Sequence, residues 1–120
     1  MAVVEVGLAP SLVHRRTALQ DLLGPGFAVE DGTAITNGVV ILDEASGRLV
    51  ADTRTRAEAL GIIVLLEEPG DCTPRGVVAL IDAGADVCLV APGAAGLAAH
   101  VRALAAHHPA RAVVPGACLA

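Results

Sequence analysis

Three aliphatic runs constrain this chain more than any other feature. Val39–Leu42 (VVIL), Ile62–Leu66 (IIVLL) and Val87–Val90 (VCLV) are strand-length, rich in β-branched residues and free of polar alternation. A strand that is apolar at every position is buried on both faces, which places it inside a parallel sheet covered by helices. Ala2–Val6 (AVVEV) and Phe27–Glu30 supply two further strands. Helical patterns separate the runs. From Pro10 to Leu23, Leu12, Leu19 and Leu22 share one side; from Val50 to Leu60 a polar helix carries Asp52, Arg54, Arg56 and Glu58 toward solvent. Thr73-Pro74 is an N-cap and first-turn pair, followed by Val77, Val78 and Ile81 as an inward face and by Gly84 as the stop. A last helix leaves Pro92-Gly93, sets Leu97, Val101 and Leu104 on one stripe, and closes at His107-His108-Pro109. Between the second and third strands, Asp31–Asn37 has room for one helical turn at most. Five strands alternating with helices predict a flavodoxin-like α/β fold. The expected sheet is five-stranded and parallel, in the order 2-1-3-4-5, with helices on both faces and those after the second and third strands shortened.

The length of 120 residues suits one domain, 1–120, with room for a real core. A chain 54% hydrophobic and 18% charged is not disordered. No apolar run approaches the roughly 18–20 residues of a membrane span. The net charge of −5 and the lack of any Lys/Arg-rich run argue against direct nucleic-acid binding. All eight basic residues are arginines, so Schiff-base chemistry and a phosphate-loop lysine are excluded; Phe27 is the sole aromatic, so base-stacking surfaces are excluded too. The opening MAVVEV has no basic leader region, and the three cysteines are odd in number without CxxC spacing. A reduced, cytoplasmic setting is the expectation.

In such folds ligands sit beyond the carboxyl ends of the strands. Those ends are Gly7-Leu8-Ala9, Glu30-Asp31, Asp43-Glu44, Leu66-Glu67 and Ala91-Pro92. The stretch GIIVLLEE and the later VVALIDAGADVCLVAPGAAGLAAHVRALAA, with AGAD before the fifth strand and AP after it, resemble the receiver domain of bacterial response regulators, closest to the NarL/LuxR-type subgroup. VVEVGLAPSLVHRRTALQDLL fits the front of that family, and VVPGACLA, within the tail 111–120, resembles the start of a connector to a helix-turn-helix DNA-binding domain. The resemblance implies a two-component phosphorylation site: an acidic pair after the first strand for Mg²⁺, an Asp after the third, a Ser/Thr after the fourth and a Lys after the fifth. Carried over, Asp43 matches the phosphoacceptor and Pro92 the residue after the lysine. Gly7 and Leu8 stand at the acidic pair, Leu66 at the Ser/Thr and Ala91 at the Lys. Phosphoryl transfer rests on positioning and charge neutralisation, so neither Mg²⁺ binding nor phosphorylation of Asp43 is expected. The resemblance then implies a phosphorylation-independent pseudo-receiver, not an enzyme, that acts through dimerisation on an attached DNA-binding domain. Asp43 itself reads as a strand-end residue in a turn or helix-cap hydrogen bond.

A second reading takes the emptied pocket as apolar. Gly7, Leu8, Leu66 and Ala91, rimmed by Asp43 and Glu67, would hold a small-molecule end product. The last helix is alanine-rich, with only His100 and Arg102 clearly polar between Gly93 and Ala106. A helix without a polar face is buried on more than one side. A homodimer is therefore expected, with Leu97, Ala98, Val101, Arg102 and Ala105 at its surface. No metal centre is expected: His14, His100, His107 and His108 lack ligand spacing. Cys88 reads as a small core residue, while Cys72 and Cys118 fall in a loop and the tail. No serine lies in GxSxG, which argues against a nucleophile-elbow hydrolase.

Overall fold

The computed structural model describes residues 3–35, 37–43, 46–57, 60–67, 73–107 and 118–119. In chain order the elements are β1 (Val4–Leu8), a 3-10 segment (Pro10–Arg15) running into α1 (Arg16–Leu23), β2 (Phe27–Asp31), β3 (Gly38–Leu42), α2 (Gly47–Arg56), β4 (Leu60–Leu66), α3 (Pro74–Ala83), β5 (Val87–Val90), α4 (Ala94–His107) and β6 (Cys118–Leu119). All pairings are parallel and the order is β2-β1-β3-β4-β5-β6. The first five strands thus run 2-1-3-4-5, the flavodoxin-like arrangement that the aliphatic runs predict. β6 is an addition. It pairs Cys118–Leu119 with the outer edge of β5; the rest of the stretch expected to be a connector, 111–117 and 120, lies outside the described residues. An edge strand presents unpaired N–H and C=O groups, and these recruit any backbone within reach.

Two helical layers sandwich the sheet. On one face the 3-10 segment, α1 and α4 bury Leu12, Leu19, Leu97, Ala98 and Val101 against Val6, Leu8, Ile41, Ile63 and Leu89. On the other, α2 and α3 bury Val50, Val77 and Leu80 against Val40, Leu42, Ile62, Val64 and Cys88. β4 lies at the centre and is buried at every position.

Local chemistry sets the helix limits. The Ser46 hydroxyl accepts from Leu49 N at 3.2 Å and caps α2. The helix therefore starts at Gly47 rather than Val50, and it ends at Arg56, with Leu60 already in β4. Thr73 Oγ1 accepts from Gly76 N at 3.0 Å with Pro74 in the first turn, and Gly84 stops α3 at φ +127°, as the sequence predicts. Two inward assignments fail. Val78 is 57% exposed, and Leu80 holds the buried place on α3. Leu22 is 41% exposed while Leu23 is buried, because the 3-10 segment winds at three residues per turn and shifts the phase of α1.

No helix spans β2 to β3 among the described residues; the shortened helix expected there is replaced by a loop from which Ile35 joins the core. β1 and β2 turn Glu5, Gly7, Ala28 and Glu30 toward this thinly covered face, in the register Glu5↔Ala28 and Gly7↔Glu30. Gly38 enters β3 at φ +124°, and a Cβ there would collide with the Glu5 carbonyl.

Two long-range clamps finish the sheet. At its β2 edge, Gln20 Oε1 accepts from Val29 N at 2.8 Å and its Nε2 donates to Phe27 O at 2.7 Å, so one side-chain amide stands in for a neighbouring strand. At the amino end of β4, the Arg54 guanidinium donates to Gly84 O at 2.7 Å, to Leu60 O and to Asp86 Oδ2 at 2.9 Å. Asp86 Oδ2 also accepts from Ile62 N at 2.8 Å. Arg54, expected in solvent, instead ties α2, β4 and the turn into β5 together, because three carbonyl and carboxylate acceptors converge on it.

Candidate functional site

The carboxyl ends of β1, β3, β4 and β5 meet at one edge, and each expected site residue sits there. β1 is fastened on both sides, by Gly32 N donating to Leu8 O at 2.8 Å and Ala9 N donating to Ile41 O at 3.0 Å. Leu8 is fully buried and points into the α1/α4 side of the core. Gly7 faces the other way, where a Cβ would stand 2.6 Å from Gly32 O and 3.4 Å from Ile35 Cδ1. The two positions of the acidic pair are therefore an interior leucine and a glycine with no room for a side chain.

Asp43 follows β3 directly and is half-buried. It does not cap α2, since Ser46 does; the reading of Asp43 as a helix cap is corrected. Leu66 ends β4 inside the α2/α3 core, and Glu67 beyond it is exposed. Ala91 is exposed in the left-handed region at φ 39°, held by its N–H donating to Leu66 O at 2.8 Å. Asp43, Glu67 and Ala91 thus lie at the surface of the edge, whereas Leu8 and Leu66 belong to the core and do not line an open cleft.

One residue at this edge escaped the sequence reading. Arg15, at the end of the 3-10 segment, donates from Nη1 to Pro92 O at 3.3 Å, and its Nε is buried without a hydrogen-bond partner. It bridges the loop after β1 to the loop after β5 across 77 positions of sequence. Nothing in the local pattern marks it, because the partner is a backbone carbonyl. Among the described residues the edge therefore offers the carboxylates of Asp43 and Glu67 and the Arg15 guanidinium, which is engaged with backbone.

The residues expected at a dimer surface divide. Leu97, Ala98 and Val101 are at most 1% exposed and pack on the sheet, so they are corrected to core residues of this chain. Arg102 is exposed and donates to Leu22 O, tying α4 to α1; Ala105 is half-buried. The outward face of α4 carries Ala95, Ala99, Ala103 and Ala106. Among the described residues, no group of three or more His, Cys, Asp or Glu side chains is placed to hold a metal ion, and no helix is long and apolar enough to cross a membrane. Cys88 is buried, and desolvation pushes its thiol up from the ordinary value.

Strand order, register and the layering of the helices define a flavodoxin-like α/β protein. Set against protein-family models, curated proteins and solved structures, the chain matches none of them.

Proposed function

We propose that this chain is a phosphorylation-independent regulatory domain of the pseudo-receiver kind, belonging to a bacterial transcription regulator. One observation carries the reading: the edge that would hold a phosphoryl group keeps Asp43 but is sterically shut at Gly7, where an added Cβ meets Gly32 O at 2.6 Å. A carboxylate for a divalent cation cannot be restored there without moving the β2–β3 loop. With Leu8 and Leu66 in the core, Gly7 without a side chain and Ala91 where the lysine would stand, none of the four positions that would bind the metal or the phosphoryl oxygens carries a charge to neutralise a phosphorylated Asp43. The domain then acts in the cytoplasm without Mg²⁺, as a rigid body that pairs with a second copy and positions a helix-turn-helix domain. Pairing through α4 would use its outward alanines, since the leucine and valine stripe is already occupied. The alternative, an end-product sensor, is the weaker reading, because the two leucines meant to line its pocket are core residues.

The test is an amide NMR titration with Mg²⁺ and beryllofluoride, a mimic of aspartyl phosphate. An unchanged spectrum is expected. Shifts spreading from Asp43 to Leu66 and α4 would show a working phosphorylation site and overturn the proposal. Sedimentation of the same sample reads the pairing: a strictly monomeric chain would remove dimerisation from the mechanism.

A further inference from the structure

The outward face of α3 sets an apolar centre between two opposite charges. Arg75, Val78, Ala79 and Asp82 are all exposed and share one stripe, opposite Val77 and Leu80, which enter the core. Val78 is 57% exposed, the most exposed large hydrophobic among the described residues. Among those residues no ion pair engages Arg75 or Asp82. Both charges also stand against their own helix. Arg75 lies in the first turn, where the macrodipole is positive, and Asp82 in the last, where it is negative. Each placement costs α3 stability, and no contact among the described residues offsets that cost.

We propose that this face of α3 docks the same face of a second copy of the chain, as an antiparallel helix pair about a two-fold axis. Arg75 and Asp82 lie symmetrically about the midpoint of Val78 and Ala79, two turns or roughly 10 Å apart. With the axis at that midpoint, Arg75 of each copy stands beside Asp82 of the other, and Val78 and Ala79 of both copies fill the centre. Each charge then sits at the favourable end of the opposite helix: Arg75 at its carboxyl terminus, Asp82 at its amino terminus. A parallel pairing would set Arg75 against Arg75 and Asp82 against Asp82. The charges therefore fix the direction, and the valine supplies the apolar contact. The outward alanines of α4 carry no such pattern, and Arg102 beside them is engaged by Leu22 O. A single pair of short helices buries less than the roughly 1,200–2,000 Å² of a standard stable interface, so the dimer is reversible and concentration-dependent. The proposal rests on the pairing of copies in the proposed function and moves that pairing from α4 to α3.

Sedimentation equilibrium of the full chain over a concentration series tests this. The native chain is expected to show a monomer–dimer equilibrium. Val78→Glu puts a charge at the centre of the contact and should leave only monomer where the native chain is mostly dimer. Arg75→Asp and Asp82→Arg should each weaken association at least about fivefold, because each sets like charges together at both ends. The double variant Arg75→Asp/Asp82→Arg restores opposite charges and should associate more tightly than either single one. These side chains are exposed, so the variants fold, and their melting temperatures check that they do. Single charge variants that pair as the native chain does, or a double variant no tighter than the single ones, would overturn the proposal. If Ala99→Glu on α4 dissociates the dimer and Val78→Glu does not, the copies pair elsewhere: this proposal fails and the pairing stands. A chain that stays monomeric throughout removes both.

Discussion

The two halves of the sheet are built on different terms. β3, β4 and β5 lie between two helical layers, whereas among the described residues β1 and β2 are covered by the 3-10 segment and α1 on one face and by little beyond Ile35 on the other. The residues follow the cover. β4 reads LGIIVLL with every position buried; β2 reads FAVED, with Val29 inward and Glu30 exposed. The half without its second layer does not expose apolar surface there. It carries Glu5 and Glu30, and small Gly7 and Ala28 beside them. Where no helix lies between β2 and β3 among the described residues, the sheet surface is acidic or small, and the same loop leaves no room for a side chain at Gly7. In this fold the layer and the site depend on the same loop.

The contrast sets an order of mutational effects, each readable by urea denaturation. In the sandwiched half, Ile62→Ala removes a fully buried side chain and should cost about 3 kcal/mol, within the usual 2–5 for such truncations. Arg54→Ala should cost about 2 kcal/mol: it removes the hydrogen bonds to Asp86 and two carbonyls, but the pair keeps 14% and 24% side-chain exposure and Asp86 still accepts from Ile62 N, so the loss is below that of a fully buried pair. A loss as large for Arg54 as for Ile62 would mean the staple, not the sandwich, organises that half. In the open half, Gln20→Ala should cost about 1 kcal/mol and, by freeing Phe27 O and Val29 N, should promote self-association in sedimentation runs. Glu30→Thr should change stability by less than about 0.5 kcal/mol; a larger change would show that the second face is covered after all.

The smallest effect concerns pH. Burial raises the Cys88 thiol above its ordinary value of 9.0, so the folded chain holds this proton longer than the unfolded one. Stability from this group is intact below that value and declines as pH rises from it toward the folded value. Stability measured between pH 8 and 10.5 or so should fall less for Cys88→Ala than for the native chain under reducing conditions.

The candidate edge was legible in part. Asp43, Glu67 and Ala91 are strand-end residues in the primary pattern, and each is found at the surface there. Leu8 and Leu66 have the same sequence position relative to their strands, yet both are buried. The difference is side-chain direction at the last pleat, which depends on which layer lies beyond it. The outward face of α4 was misread for a related reason. A helix with so many alanines has little contrast between its sides, so Leu97, Ala98 and Val101 could not be told from a partner-facing stripe. Leu22 was displaced by the phase that the 3-10 segment sets, whereas α3 begins where Thr73-Pro74 predicts and turns Val77 and Leu80 inward, leaving Val78 exposed.

By itself the sequence determined the alternation of strand and helix, the parallel sheet and the caps at Thr73 and Gly84, because hydrophobic period and capping chemistry act over a few residues. Tertiary structure alone decided the Arg54–Asp86 staple, the Gln20 clamp and the reach of Arg15 to Pro92. Each of these joins segments separated by the crossovers or turns of the fold, and several end on backbone atoms that every residue shares. A local pattern carries no trace of such partners until the chain has closed on them.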